Sequence, residues 1–282
     1  MIYYLLSNIT RFFLAKLRKY HTGYPKILVY TKDFIGEEIY AFGLYEKGNI
    51  NIMLNCLDFP TEEHSILDVG ANIGNHTLQF SKHFKEVYAF EPNLLAFDVL
   101  KLNTVGIQNI KLFNYGLSNK NGEAFLKIPE YNIGGATVVN ERDSEKNKIL
   151  LKKGDDVINF PFAVMKMDIE GHELKAIEGL AETLIKHKPI LFLEFLNKTG
   201  TGDMIIINLL KNLGYTNFYE PYKKTLLGSR NNGYFFEFIN GLFFVQNNSL
   251  KKIEAFKKEN YTLLVCENPT SEFKVEPNFV KK

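Results

Sequence analysis

From Ser65 onward short apolar runs alternate with amphipathic ones, and that alternation leaves few folds open. "SILDVG", "EVYAFEP", "NIKLFNYGLS", "FAVMKMDIE", "PILFLEF" and "TNFYEP" read as strands, with "GLFFVQ" as a final one. "NHTLQFSKHF", "NLLAFDVLKLNTVG", "HELKAIEGLAETLIKH" and "GDMIIINLLKNLG" read as the helices between them. Repeated strand–helix–strand units require right-handed crossovers, and so an α/β fold with a mostly parallel sheet. One insertion interrupts the order. "GEAFLKIPEYNIGGATVV" has the pattern of a hairpin, followed by the polar stretch 140–148 and a short strand at "ILLKK".

The two ends look different. Residues 25–57 alternate apolar and polar positions around turn signals, which predicts a small β-rich lead-in. Before it, Ile2, Leu5, Leu6, Ile9, Phe12, Phe13 and Leu17 make one apolar helical face. That face is expected to pack on the protein's own core, and a peripheral contact with an anionic membrane surface is the alternative. "SLKKIEAFKKEN" predicts a lysine-rich helix ahead of a loosely patterned tail. The expected divisions are 1–60 for the N-terminal helix and lead-in, 61–248 for the main domain and 249–282 for the C-terminal helix and tail.

Charge and cysteine content exclude several classes. With 34 basic against 32 acidic residues there is no argument for nucleic-acid binding. Arg11, Lys16, Arg18 and Lys19 follow the first apolar patch instead of preceding it, unlike a secretory leader. No apolar run approaches the roughly 18 residues that span a bilayer. Cys56 and Cys266 match no metal spacing and make a poor disulfide framework, so a reducing cytoplasm is the expected setting.

The sharpest local signal is "ILDVGANIGNHT", residues 66–77, a strand running into a glycine turn. A dinucleotide fingerprint would carry a glycine where Asn72 stands, and no Gly-Lys-Ser/Thr follows to make a P-loop. Asp68, two positions before Gly70, would repel a phosphate and suits an ammonium or sulfonium-bearing amino acid. That points to S-adenosylmethionine. Glu91 closes the next strand 21 residues after Gly70, where an acid accepts ribose hydroxyls in nucleotide-binding sheets.

"LDVGANIGNHTLQFSKHFKEVYAFEPN", "NYGLSNKNG", "MKMDIEGHELKAIEGL" and "PILFLEF" together resemble the FkbM-type S-adenosylmethionine-dependent methyltransferases, in order from about residue 42 to about 196 and more weakly to 245. The resemblance implies a class I methyltransferase, Rossmann-like sheet of seven strands with the last antiparallel. It implies O-methylation of a hydroxyl on a sugar, glycan precursor or natural-product scaffold. By the same resemblance Asp68, Gly70 and Asn72 would line the methionine end, with Gly74 part of the same cofactor site, Glu91 would hold the ribose, and the segment Asn114, Tyr115, Gly116 and Leu117 would lie beside adenine.

The chemistry is expected around "AVMKMDIEGHE". Period two puts Val164, Lys166, Asp168 and Glu170 on one face, and a buried lysine there needs a carboxylate partner. Asp168 ends the strand on the rim where open α/β sheets bind ligands, so it borders the cofactor as well. Asp168 or His172 would act as base, or Asp168 and Glu170 would hold a divalent cation such as Mg2+ that acidifies the acceptor. Glu194, on the same rim, either touches substrate or only pairs with Lys166. Acceptor selection is expected in the insertion, at Gly134 and Gly135 with Tyr131 nearby, and in the loop 226–240 with Tyr234.

Three rival readings remain at this stage. One is methylation of a phosphate-type oxygen, a lipid or a protein side chain. The second is a nicotinamide-dependent dehydrogenase, which the missing middle glycine disfavours. The third is a scaffold without catalysis, against which Asp68, Glu91 and Asp168 weigh.

Overall fold

The computed structural model describes residues 2–17, 26–31, 33–129, 135–139, 147–195, 202–222, 249–254, 256 and 261–279. Helix α1 (Ile2–Leu17) opens the chain. Its Leu5, Leu6, Ile9, Phe12 and Phe13 are all exposed, so the expected packing of this face on the protein's own core is not what forms.

The lead-in is helical, not β-rich. Helices α2 (Phe34–Phe42) and α3 (Lys47–Asn55) occupy it. Ile35 and Ile39, four residues apart, bury one stripe of α2. Asp33 caps its start by accepting from the Gly36 N–H, and Gly43 at φ 81° closes its end. Ile50 and Met53, three apart, do the same for α3. Both caps and both helical spacings lay beneath what reads as alternation.

The main sheet begins with β1 (Ser65–Val69), α4 (Asn75–Phe80), β2 (Glu86–Phe90), α5 (Leu94–Asn103) and β3 (Ile110–Phe113). The chain then leaves it. β4 (Gly116–Ser118), β5 (Gly122–Lys127), β6 (Thr137–Val139) and β7 (Lys148–Lys153) form a separate four-stranded sheet in the order β4-β7-β5-β6. Its β5–β6 pair is the expected hairpin. After the short α6 (Gly154–Val157) the main sheet resumes with β8 (Val164–Met167), α7 (Glu173–Gly179), α8 (Ala181–His187), β9 (Ile190–Phe195), α9 (Gly202–Asn212) and β10 (Asn217–Pro221). The single helix expected over 172–187 is two. Gly179 comes so close to β4 that an added Cβ would lie 1.8 Å from the Ser118 carbonyl oxygen.

β11 (Leu250–Lys252) and β12 (Tyr261–Glu267) complete an eight-stranded sheet, in the order β11-β10-β12-β9-β8-β1-β2-β3. β1, β2, β3, β8 and β9 are parallel neighbours, and β12 runs antiparallel between β9 and β10. This is the class I methyltransferase sheet with one edge strand more than the seven expected. The lysine-rich segment is that edge strand at 250–252 and not a helix there. Lys251 and Lys252 are exposed, which suits an edge that must not pair further. The antiparallel strand is 261–267 in the supposed tail, whose Leu264, Val265 and Cys266 are fully buried. The strand expected at "GLFFVQ" lies outside the described residues, as do residues 226–240, Tyr131 and Gly134.

Side chains alternate across the sheet and build a core on each face. Leu67, Val69, Met165, Met167, Leu191 and Leu193 meet α7, α8 and α9. Ile66, Val164 and Phe192 meet α3 together with Phe273 and Val275 of the C-terminal segment. Asp68 and Lys166, cross-strand neighbours in the β1–β8 register, fall on this second face, at the carboxyl end of the strands. Cys56 and Cys266 are buried and unpaired, with burial pushing both thiols up.

Candidate active site

The site forms where β1, β2, β8 and β9 end together. Its floor is the turn after β1. Gly70 takes φ 80°, and a Cβ there would sit 1.8 Å from the Asp168 carbonyl oxygen, so only glycine fits. The N–H groups of Gly70 and Ala71 both donate to the Phe90 carbonyl, tying the turn to β2. Asn72 follows at φ 49° and donates its N–H to Glu91 Oε2 at 2.8 Å. Glu91 Oε1 accepts the Asn93 N–H at 2.7 Å. Each oxygen keeps a lone pair free for a hydroxyl donor. Burial raises the Glu91 carboxyl to about 7, against the pull of those two backbone donors.

Beside the turn lies a charge cluster. Lys166 is buried, with its Nζ 3.6 Å from both Asp68 Oδ1 and Asp168 Oδ2, and it donates to the Gly70 carbonyl at 3.1 Å. Burial alone would lower its ammonium. The carboxylates of Asp168 and Asp68 outweigh that and hold it above its ordinary value. Asp168 is likewise penalised by burial, yet Lys166 and a hydrogen bond from Glu194 bring it below the usual carboxylate range. Glu194 pays the opposite way. Burial and the ionised Asp168 push it up to about 9, so the pair shares one proton, carried by Glu194.

The expected residues divide into those that border the cleft and those that support it. Gly70, Asn72, Glu91, Gly116, Lys166, Asp168, Glu170, His172 and Glu194 border it. Asp68 does not. It is fully buried under the floor, accepting from Thr77 Oγ1 at 2.6 Å and paired with Lys166. Gly74 ends the turn at φ 93° as the N-cap of α4. Asn114 donates to the Glu91 carbonyl, and Tyr115 packs its ring on Phe90 and Phe113. Gly135 precedes Ala136 and Val138, which line the wall. The Nε2 of His172 lies 3.0 Å from Ser118 Oγ, and burial with Lys175 nearby lowers the imidazole to about 4.

Sequence reasoning missed the opposite wall. Tyr45 and Asn75 exchange two hydrogen bonds, which bring the α2–α3 connection onto the start of α4. This sets Glu46 Oε2 3.4 Å from His76 Nε2, at the cleft. Phe34 and Ile35 extend the same wall. Four non-glycine residues have positive φ among the described residues, and Glu46, Asn72 and Glu170 of these line the cleft. Such backbone conformations gather at working sites. His76 stands inside "GNHT", one helical step past the turn, which was the available clue.

Asp168, Glu170 and Glu194 bring ligand oxygens within 4.8 Å of one another. Hard oxygen donors of this kind suit a divalent cation, but the Lys166 ammonium already neutralises Asp168 from 3.6 Å.

Residues 68–216, just over half of the chain, match the methyltransferase FkbM domain. The chain belongs to the FkbM methyltransferase family. Relatives of this FkbM chain include the hexuronic acid methyltransferase AglP of Haloferax volcanii, 29% identical over 143 residues, which are 49% of this chain and 59% of AglP. Methyltransferase sdnD of Sordaria araneosa is 29% identical over 167 residues, 56% of this chain and 57% of sdnD. The chain thus spans under three fifths of the length of these curated relatives. Among solved structures, an FkbM methyltransferase from Methylobacillus flagellatus aligns with TM-score 0.45 and 17% identity, over 73% of this chain and 44% of that one.

Proposed function

We propose that this FkbM methyltransferase uses S-adenosylmethionine to methylate a hydroxyl of a sugar or glycan precursor. The observation that carries the reading is an ionised Asp168 held at the rim, in backbone contact with the glycine turn. The residues fit the cofactor. The Gly70–Asn72 turn and Gly116 line the cleft, and Glu91, held there by two backbone donors, presents lone pairs for ribose hydroxyls. Asp68, fully buried beneath the floor, pairs with Lys166 and accepts from Thr77, and so positions Lys166 from below. S-adenosylmethionine, when bound, supplies a methyl group on a sulfonium whose departure as a neutral thioether needs no acid.

This chain must therefore hold the acceptor oxygen in line and take its proton. The proton of the acceptor hydroxyl would pass to Asp168 as the oxygen takes the methyl group. Lys166 keeps that carboxylate ionised beforehand, and Glu194, by donating to it, fixes its orientation. A divalent cation on Asp168, Glu170 and Glu194 is the alternative device. Lys166 already supplies the positive charge such an ion would bring, which favours direct base catalysis.

The balance of charge speaks to the acceptor. Glu46, Asp168 and Glu170 line the cleft, and Lys166 is the one lysine or arginine to do so among the described residues. A sugar hydroxyl suits that mouth better than a phosphate-type oxygen does. The hexuronic acid methyltransferase among the relatives supports a sugar acceptor.

The test is incubation with methyl-labelled S-adenosylmethionine and a panel of sugars and sugar nucleotides, read by mass spectrometry with and without chelator. Label on a sugar oxygen, indifferent to chelator, is the expected result. Binding of NAD in place of S-adenosylmethionine would overturn the cofactor assignment. Activity lost to chelator and restored by Mg2+ would replace the base with a metal.

A further inference from the structure

The N-terminal helix is not used by any of this chemistry, and its construction points elsewhere. On α1, Leu5, Leu6, Ile9, Phe12 and Phe13 fall on one side of the helix. Burial of such a stripe normally offsets the cost of carrying it, yet here it faces solvent, with Leu5 60% and Phe13 59% exposed. Proteins that act alone in water rarely leave that much apolar surface contiguous and open.

The charges around it select the occupant. Residues 1–32 contain six lysines and arginines (Arg11, Lys16, Arg18, Lys19, Lys26 and Lys32) and no acidic residue; the first is Asp33. The rest of this nearly neutral chain shows no such bias. Two copies meeting through this segment would bring like charges together, whereas a surface of anionic lipid attracts each basic residue by about 1 kcal/mol. Lys16 shows how the two properties coexist. Its ammonium lies 4.6 Å over the Phe12 ring, so its stem runs along the apolar face while its charge stays at the rim.

We propose that α1 is an interfacial helix that docks the protein, in the plane of the surface, on a membrane rich in anionic lipid. No described helix is long and apolar enough to cross a membrane, and an in-plane helix needs only its stripe buried to the depth of the headgroups. α1 touches α2, whose Phe34 and Ile35 continue into the cleft wall. Docking through α1 therefore brings that wall within about 10 Å, one helix diameter, of the bilayer. The proposal stands on the helix alone and does not depend on which acceptor is methylated.

Co-sedimentation of the full chain with vesicles decides it. The protein should pellet with phosphatidylcholine vesicles containing phosphatidylglycerol and stay in solution with phosphatidylcholine alone, and high salt should release it. The double variant Leu6→Glu, Phe13→Glu should lose at least about ten-fold in vesicle affinity, with the circular dichroism of its sheet unchanged, because both positions face solvent. Analytical ultracentrifugation of both proteins without lipid supplies the control. No association with the anionic vesicles would overturn the proposal. A dimer that the double variant splits, with no vesicle binding by either protein, would overturn it in favour of a self-association face.

Discussion

The floor and the far wall of the cleft are built in opposite ways. The floor comes from the ends of β1, β8 and β9, where Gly70, Lys166, Asp168 and Glu194 are locked by close backbone approach, hydrogen bonds and an ion pair. The wall is assembled from distant segments. Phe34, Ile35 and Glu46 arrive from the helical lead-in, and Leu126, Ala136 and Val138 from the smaller sheet. A floor of this kind fixes the reaction and tolerates almost no change. A wall of this kind can be exchanged piece by piece, and under the proposed function it is where acceptor choice would vary without disturbing the chemistry.

The largest effect should come from the floor. Gly70→Ala places a methyl group against the Asp168 carbonyl at a φ that only glycine adopts comfortably. We expect a loss of about 4 kcal/mol or more, seen as a fall of roughly 10 °C in Tm or as failure to accumulate folded protein. An unchanged Tm would show that the floor is softer than its geometry implies. Next, Asp168→Asn should fold and bind S-adenosylmethionine while methyl transfer falls about a hundred-fold or more. Near-normal turnover would remove Asp168 as the base and shift attention to His76 and Glu46 on the wall.

A smaller effect concerns pH. Glu194 is held up to about 9 in the folded chain against an ordinary 4.5, so folding retains a proton that the unfolded chain releases. Stability from this source is complete below the unfolded value and is lost as pH rises through 9. Glu91, raised to about 7, loses its share earlier, and His172, lowered to about 4, acts only below 6.5. Thermal unfolding of the ligand-free protein between pH 7 and 9 therefore isolates Glu194. Glu194→Gln should flatten the decline there and raise Tm at pH 9, and a decline as steep as the parent's would break the shared-proton account. The smallest effect belongs to the wall. Phe34→Ala should raise KM for the acceptor a few-fold with kcat unchanged, whereas a fall in kcat alone would make Phe34 part of the reacting geometry.

The same contrast governs how much could be read in advance. The floor was legible because each of its parts sits within a single strand–turn–helix unit. Asp68, Gly70 and Asn72 fall within five residues, from the end of one strand into its turn, and Lys166 and Asp168 lie at the end of another. Even the need for a carboxylate partner to Lys166 followed from its place in a buried strand, though not that there would be two. The wall was illegible because its meaning is tertiary. Nothing local to Glu46 announces His76, since what joins them is the exchange of hydrogen bonds between Tyr45 and Asn75, 30 residues apart. The spacing of Ile35 and Ile39 was the helical clue in the lead-in, masked by the apolar and polar alternation around it. Leu263 to Cys266 is an unbroken apolar run of the kind that marks a strand buried on both faces, but its position in an apparent tail hid it.

The contact between Gly70 and the Asp168 backbone has a consequence for turnover. Because the turn proposed to receive the cofactor and the strand end proposed to carry the base meet without slack, neither can withdraw without carrying the other along. Spent cofactor cannot leave by the floor giving way. The exit would then be opened from the side, by the segments around Phe34 or Val138, which line the cleft away from that contact. In a turnover limited by product departure, the clock of the enzyme would then be set by these rims, far in sequence from every residue that touches the transferred methyl.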